Sequence, residues 1–148
     1  MKRIFAVSAI IALFASSCQT NKSLVVVNSS DAPKAIGPYS QAVKTGNMVF
    51  TSGQIGLVPA TGTLAGDDIS SQTQQALKNL KAILEEAGSD MAHVVKATIF
   101  LKDLNDYTTV NDIYKGYFPE IKPARSTVQV TRLPKDALIE IECTAVRK

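Results

Sequence analysis

The 148-residue sequence predicts one α+β domain, with a mixed β-sheet that carries two helices on one face. Its length corresponds to a single domain of about 100–200 residues. Short β-branched runs alternate with two segments in which apolar residues recur at spacings of three and four. Hydrophobic residues make up 45% of the chain and charged residues 20%, a composition typical of globular proteins and not of disordered ones.

The N-terminal segment has the composition of an export signal. Two basic residues precede an apolar run over residues 4–14, and small residues then lead to Cys18. This layout predicts a signal peptide over residues 1–17. It also resembles the bacterial lipoprotein signal, in which the cysteine is acylated and becomes the new N-terminus, so that residues 18–23 form a short lipidated tether. An ordinary signal peptide with a chance cysteine is the alternative. We therefore expect an exported protein, facing the periplasm or on the outer membrane, that is attached only by a lipid anchor.

Charge and residue counts limit the classes of partner. The formal net charge is +3, and removal of residues 1–17 lowers it to +1. A near-neutral chain has little electrostatic attraction for nucleic acid, so we expect no nucleic-acid partner. A single histidine excludes an all-histidine metal site within one chain, and two cysteines make no disulfide framework. Acylation of Cys18 would leave Cys143 as the only free thiol.

The first half of the domain reads as three strands followed by a helix. β-branched residues favour the first strand. Gly46-Asn47 is a two-residue loop of the kind that closes a hairpin between the next two. Asp67, Asp68 and Ser70 offer capping oxygens at the start of the helix, and Gly88 stands where a helix commonly ends. These elements are strands at residues 24–27, 41–45 and 48–52 and a helix from about 69 to 87.

The second half predicts three strands and a second helix. Asp106 or Thr108 can cap this helix, and prolines at 119 and 123 end it. A helical crossover favours parallel pairing of the strands on either side. The last strand carries Glu140 and Glu142 on one alternating set, which is costly to bury without partners. The second sheet face is therefore either solvated or covered by another copy of the chain. These strands are predicted at residues 94–101, 126–133 and 139–146.

Five ordered blocks of sequence then indicate a family. They are AIGPYSQA at 35–42, TSGQI at 51–55, VKATIFLKDL at 95–104, PARSTVQV at 123–130 and LPKDALIEIE at 133–142. Together they resemble the reactive intermediate deaminase (RidA, YjgF) family, which would make residues 24–148 a RidA-like domain. The resemblance implies a chorismate-mutase-like fold and a homotrimer. The sheets would line a central trimeric barrel, and three clefts would lie between subunits.

The same resemblance implies a reaction and its main residues. Members of the best-known branch hydrolyse 2-imino acids, the products that pyridoxal-phosphate dehydratases release, to 2-keto acids and ammonia without cofactor or metal. The substrate carboxylate needs a planar cationic partner, and Arg125 matches the family arginine with this role. Glu140 matches the residue that orients water and moves its proton, with the backbone carbonyl of Thr127 as a second acceptor. The alternatives are a structural arginine paired with a neighbouring subunit and a surface ion pair of Glu140.

Four further residues match positions around the substrate. The backbone amide of Gly53 is expected to donate to the carboxylate, since glycine allows close approach of the main chain. Tyr39 is expected to cover the substrate, with a packing tyrosine as the alternative. Ser52 and Asn111 match the pocket wall, although Asn111 can equally be a surface residue of a helix.

Three functions follow for comparison. The first is a lipid-anchored imine deaminase, and the second is a non-catalytic trimeric module that binds a small carboxylate. The third, a nuclease or translation inhibitor, is disfavoured by the charge and the export signal. Two departures from the family bear on the site: Thr127 stands where many relatives have cysteine, and the loop at 118–123 is short, which affects the expected size of the substrate.

Overall fold

A computed structural model of the protein describes residues 23–148. The predicted signal peptide and Cys18 lie outside the described residues. Within the described part, no helix is both long and apolar enough to cross a membrane. The strands are β1 (Val25–Val27), β2 (Ala42–Thr45), β3 (Met48–Thr51), β4 (Gln54–Ile55), β5 (Val94–Leu101), β6 (Ala124–Gln129) and β7 (Ile139–Val146), and the helices are α1 (Ile69–Glu86) and α2 (Tyr107–Tyr117).

All the strands belong to one mixed sheet. Its order is β1-β2-β3-β7-β5-β6, and β4 pairs with β7 beside this path. The pairing of β5 with β6, across helix α2, is parallel, and every other pair is antiparallel. The predicted mixed sheet and its parallel crossover are therefore confirmed. Strand β6 forms one edge of the sheet, which becomes important for the site.

Both helices pack on the same face of the sheet, as predicted. Buried side chains of α1 and α2 form one core with the alternating residues of β5 and β7 that point toward them. Asp68 caps α1, because its carboxylate accepts a hydrogen bond from the Ser71 amide at 2.8 Å. Gly88 follows the last turn with a φ of +81°, a conformation that favours glycine.

The capping of the second helix and the bounds of β6 differ from those predicted. Asp106 precedes α2 but makes no capping hydrogen bond with its side chain, and Thr108 lies inside the helix. The reason is a 3-10 turn at Leu104–Asp106, whose start is capped by the carboxylate of Asp103. Strand β6 ends at Gln129 and not at residue 133, because its neighbour β5 ends at Leu101. The two-residue strand β4 was not predicted.

The sheet face away from the helices is open and partly apolar. Val26, Phe50 and Val128 point to this face, and their exposed fractions are 53%, 46% and 43%. Exposed apolar residues that share a face mark a surface suited to association. The sequence required this face to be solvated or covered by another copy, and its apolar residues favour the second alternative.

Candidate functional site

A hollow of about 220 Å³ brings together four of the predicted site residues. It lies where the loop before β2, the β3–β4 connection and the start of β7 meet. Tyr39, Ser52, Gly53 and Glu140 all line it, together with Pro33, Lys34, Ile36, Gln41, Gln54, Ile55, Leu57 and Pro134.

The carboxyl group of Glu140 lies against the backbone of Gly53 at the centre of this hollow. A Cβ atom added to Gly53 would lie only 2.6 Å from Cδ of Glu140, so any larger residue at this position would displace the carboxyl group. Burial, followed by the negative charge of Glu142, raises the pKa of Glu140 above its ordinary value. No residue in the described range 23–148 donates a hydrogen bond or forms an ion pair with its carboxylate. The hollow therefore holds an acid that is partly desolvated and unneutralised.

Gln41 fixes the loop that forms one wall of the hollow. Its side chain is 3% exposed. Its Oε1 atom accepts from the Ser29 amide at 2.6 Å, and its Nε2 donates to the Pro33 carbonyl at 2.7 Å. Buried polar groups are satisfied when bonded in this way, and the contacts tie the 29–33 segment to the start of β2.

Tyr39 and Ser52 stand at the mouth and the wall of the same hollow. Tyr39 is half exposed, and its hydroxyl accepts from the Ile36 amide at 3.3 Å. Ser52 donates its hydroxyl to the Ser40 carbonyl at 2.6 Å, which joins the Tyr39 loop to the end of β3. The ring of Tyr39 is therefore held at the rim, where it can cover a small ligand.

Arg125 lies elsewhere, on the edge strand β6 beneath helix α2. Its Nη2 atom donates to the Asn111 Oδ1 at 2.7 Å and to the Tyr107 hydroxyl at 3.2 Å. Its Cζ atom lies 4.7 Å from the ring centre of Tyr114. In the part of the chain that the structure describes, no carboxylate pairs with this guanidinium. Neutral groups thus support the cation and leave its charge available.

Thr127 is two residues further along the same face of β6. Its hydroxyl is buried and has no hydrogen-bond partner among residues 23–148. The Val130 amide donates to the Leu101 carbonyl, which sets the alternation of backbone bonds along β6. Alternate residues of an edge strand turn their backbone groups outward, and Thr127 belongs to that set. Its carbonyl is therefore presented at the open edge of the sheet.

The two groups of residues lie on opposite faces of the sheet. Ala97 of β5 pairs with both Arg125 and Cys143, so Arg125 shares the helix-covered face with the buried series of β7. Glu140 belongs to the alternate series of β7 and pairs with Phe100. The two residues are thus separated by about 10 Å along the strands, two strand spacings and the sheet itself. One chain does not place Arg125, Asn111 and Thr127 beside the hollow.

Three residues with a part in the site were missed from the sequence. No role in the site was predicted for the two tyrosines Tyr107 and Tyr114 or for Gln41. The spacing of Tyr107, Asn111 and Tyr114 by four and three residues was the available signal, because such residues share a helix face. For Gln41 no local pattern separates a buried anchor from a surface amide.

The remaining reactive side chain does not add to the site. Cys143 is a free, buried thiol that faces the helices. Burial raises its pKa to about 11, which keeps it protonated and unreactive at neutral pH. Among residues 23–148 no group of three or more histidine, cysteine, aspartate or glutamate side chains is placed to hold a metal ion.

Comparison with known proteins connects this geometry to a family. The family model described as Endoribonuclease L-PSP matches residues 29–147. The chain is 53% identical over 125 residues to the 2-iminobutanoate/2-iminopropanoate deaminase of Salmonella typhimurium, covering 82% of this chain and 97% of that protein. It is 54% identical over 120 residues to the chloroplastic Reactive Intermediate Deaminase A of Arabidopsis thaliana, covering 81% and 64%.

Comparison of the fold with solved structures supports the same family. The crystal structure of Escherichia coli TdcF with bound serine superposes with a TM-score of 0.80 at 46% identity, covering 84% of this chain and 99% of that one. The chain therefore belongs to the Endoribonuclease L-PSP family, the RidA/YjgF family that its sequence blocks predicted.

Proposed function

We propose that this protein is a hydrolase that converts 2-imino acids to 2-keto acids and ammonia. The observation that carries the proposal is a matched pair of unneutralised charges, the guanidinium of Arg125 and the carboxylate of Glu140. An imino acid has an acid group for the first and an electrophilic carbon beside it for water activated by the second. Relatives about half identical to this chain carry the names of such deaminases.

The site residues would divide the chemistry as follows. Arg125 and the amide of Gly53 hold the substrate carboxylate, and Tyr39 closes over it. Glu140 takes a proton from water, whose oxygen attacks the imine carbon, while the carbonyl of Thr127 accepts the second hydrogen bond of that water. That proton passes to the nitrogen, which gives a carbinolamine. Glu140 then takes the proton of the new hydroxyl group and delivers it to the nitrogen, so that the ketone forms, the carbon–nitrogen bond breaks and ammonia leaves. One water is consumed for each imine, and no electron is transferred.

A site assembled from two copies of the chain reconciles the roles with the geometry. Arg125 and Glu140 lie on opposite faces of one sheet, and Arg125 stands on an edge strand. The open sheet face also presents Phe50 and Val128. A homotrimer that packs these faces together would bring Arg125 of one copy to the hollow of the next, and a cyclic arrangement repeats the contact three times.

RNA cleavage is the other activity that the family's description suggests. The net charge of +1 after loss of residues 1–17 gives the chain little overall attraction for a phosphate backbone. Within the described residues, the one histidine, His93, is bonded to Asp90 at 2.7 Å and lines neither half of the site. These observations favour a small acid as the substrate.

The deciding experiment generates 2-iminobutanoate with an amino-acid oxidase and follows its disappearance with the purified residue 18–148 protein. We expect the wild type to accelerate hydrolysis and Arg125→Ala to lose about 2–5 kcal/mol of transition-state stabilisation. Arg132→Ala is the matched control, because Arg132 is an exposed arginine paired with Asp136. A wild type no faster than buffer, which still binds 2-ketobutyrate, would identify a carboxylate-binding module instead. A wild type that does neither would exclude both functions.

We also propose export and lipid anchoring, on the basis of residues 1–18 alone. Signal cleavage before Cys18 and acylation of its thiol would place the domain close to a bilayer, and more than one acyl chain gives stable attachment. Mass spectrometry of the mature N-terminus from the membrane fraction tests this. Cys18→Ser should release the protein from membranes. An unmodified Cys18, or cleavage at another residue, would contradict the anchor without affecting the proposed chemistry.

A further inference from the structure

We infer that helix α2 positions the guanidinium of Arg125 through two tyrosines that act in different ways, Tyr107 by its hydroxyl and Tyr114 by the face of its ring. This inference rests on the proposed function, in which Arg125 holds the substrate carboxylate. Neither tyrosine is expected to touch the substrate, so both are positioning residues.

The side chains of α2 that contact the Arg125 guanidinium lie on one face of the helix. Tyr107, Asn111 and Tyr114 follow one another at spacings of four and three, which places them in line on a helix. The Nη2 atom of Arg125 donates to the Tyr107 hydroxyl at 3.2 Å and to Asn111 Oδ1 at 2.7 Å. Both contacts fall on one nitrogen. The donors on Nε and Nη1 therefore stay available, since no group in the described chain accepts from them.

Tyr114 acts through its ring because its hydroxyl has nothing to bond. The residue is 5% exposed, and its hydroxyl is buried without a partner among residues 23–148. Burial raises its pKa to about 12, so the ring stays neutral. The Cζ atom of Arg125 lies 4.7 Å from the ring centre, within the range of a cation–π contact. The Tyr114 ring also packs against the ring of Phe118, with 4.4 Å between the two ring centres. The guanidinium therefore contacts a ring that is itself packed against a second aromatic side chain.

Tyr107 has the opposite character. It is 41% exposed, and its ring centre is further from Cζ of Arg125, at 5.7 Å. Its hydroxyl is the group that is engaged. The pKa of Tyr107 is lowered from its usual range, mainly by hydrogen bonding to Asn111 and secondly by hydrogen bonding to Arg125. Tyr107 thus restrains the rotation of the guanidinium end, whereas Tyr114 fixes its plane.

Preorganising a binding cation reduces the entropy that a ligand must remove when it binds. Loss of either restraint should therefore weaken binding of the carboxylate. Because the carboxylate is held both in the ground state and in the transition state, KM should rise while kcat changes little. The proposed roles need the hydroxyl of Tyr107 but only the ring of Tyr114. Substitution by phenylalanine, which removes the hydroxyl and keeps the ring, should therefore have different effects at the two positions.

The experiment compares Tyr107→Phe, Tyr114→Phe and Tyr114→Leu in the residue 18–148 protein. Affinity for 2-ketobutyrate is measured by calorimetry. We expect Tyr107→Phe to weaken binding about 3- to 10-fold and Tyr114→Phe to leave it within about twofold, with equal or higher thermal stability. Tyr114→Leu removes the ring and should weaken binding about 5- to 10-fold. Weakening by Tyr114→Phe equal to that by Tyr107→Phe, or no weakening by Tyr107→Phe, would overturn the division of roles.

A second measurement needs neither ligand nor turnover. Rotation of the Arg125 Nη2 group is followed by nitrogen NMR, with Arg125→Lys used to assign the signal. Tyr107→Phe should speed this rotation, and Tyr114→Phe should not. Unchanged rotation in Tyr107→Phe would contradict the inference. If the wild type fails to deaminate imines while the rotation responds as expected, the proposed function fails and the positioning by α2 stands.

Discussion

Arg125 and Glu140 carry the two charges of the candidate site, and the chain supports them in different ways. The guanidinium is held by an amide, a hydroxyl and a ring, all neutral, on the helix-covered face of the sheet. The carboxylate has no such support within the described residues and is pressed against the backbone of Gly53. The guanidinium is therefore held by hydrogen bonds and a ring contact, whereas the carboxyl group of Glu140 is desolvated and its pKa is raised.

This difference suits two different tasks. A group that only grips an anion benefits from a fixed geometry and a permanent charge. A group that must gain and release a proton works best when its pKa lies close to the working pH. In the proposed function each half supplies the charge that the other lacks, so the two halves would have to be brought together from two chains. This division can be tested, first in the arrangement of the two halves.

Mixing two inactive variants tests whether the halves come from different copies. Arg125→Ala and Glu140→Gln chains should each be inactive, but mixed trimers would contain sites with both residues intact. Random assembly of equal amounts should restore about a quarter of the wild-type activity, since each site draws its two halves from independent chains. The measurement is imine hydrolysis after subunit exchange, with intact-trimer mass spectrometry to verify mixing. Verified mixed trimers without activity would place both halves within one chain.

Glu140→Gln alone tests the assignment of the proton-transfer role. The amide keeps the size of the side chain but cannot take a proton from water, so kcat should fall about 10²- to 10⁴-fold. Affinity for 2-ketobutyrate should change by no more than a few fold, because Arg125 is untouched. Glu142→Gln is the matched control, because Glu142 lies two residues further along β7 and on the same face as Glu140. Equal losses in the two variants would remove Glu140 from the chemistry.

The part of the fold that sequence could predict was the part set by periodicity and local turns. The strand at 94–101, the cap at Asp68 and the glycine after α1 are local features, and the structure has each of them where expected. Asp106 lies at the N-cap position of α2, as expected, but its side chain makes no capping bond, whereas Asp103, three residues earlier, caps a 3-10 turn with its carboxylate. Two carboxylates within one turn offer the same local signal, and only the packed structure selects between them.

The site was predicted unevenly for a related reason. Resemblance supplied Arg125, Glu140 and Gly53 as residue types at matched positions, and the hollow around Glu140 contains those expected there. It implied clefts between subunits, but it did not indicate on which face of the sheet Arg125 or Glu140 lies. Their placement on opposite faces follows from strand register, which pairs Ala97 with Arg125 and Phe100 with Glu140. Strand register depends on contacts between residues that are distant in sequence, so a short sequence motif does not predict it.

Gly53→Ala tests whether the close contact between Gly53 and the Glu140 side chain is needed for activity. The added methyl group would overlap the Glu140 side chain, whose Cδ would lie 2.6 Å away, so the carboxylate must move. Displacement of about 1 Å should lower kcat/KM about 10- to 100-fold. Gly116→Ala makes the same change in α2, where the new atom meets nothing within 4 Å. This control should keep its activity and gain about 0.5–1 kcal/mol of stability. Wild-type kinetics in Gly53→Ala would show that the close contact has no functional role.

The pH dependence should report the environment of Glu140. Its pKa is raised, so the acidic limb of kcat/KM should lie above the ordinary glutamate value of 4.5. The folded state then binds the Glu140 proton more tightly than the unfolded state. The contribution of Glu140 to stability therefore falls as pH rises from the ordinary glutamate value of 4.5 through the raised pKa of the folded protein. Glu142→Gln removes the second cause of the raised pKa and should move the limb to lower pH. A limb at or below the ordinary value, unmoved by Glu142→Gln, would contradict the assignment.

The smallest expected effect concerns the residue that departs from many relatives. The Thr127 hydroxyl is buried without a partner in the described structure, whereas its carbonyl faces the open edge of β6. Thr127→Val keeps the shape and the carbonyl, so kcat/KM should stay within about twofold. Removal of an unsatisfied hydroxyl should raise the free energy of unfolding by about 1 kcal/mol. Steady-state kinetics and thermal unfolding measure the two quantities, with Thr127→Ser as the control that keeps the hydroxyl. A large loss of activity in Thr127→Val, rescued in Thr127→Ser, would mean that the hydroxyl itself meets the substrate, and the carbonyl would lose its role as the second acceptor for water.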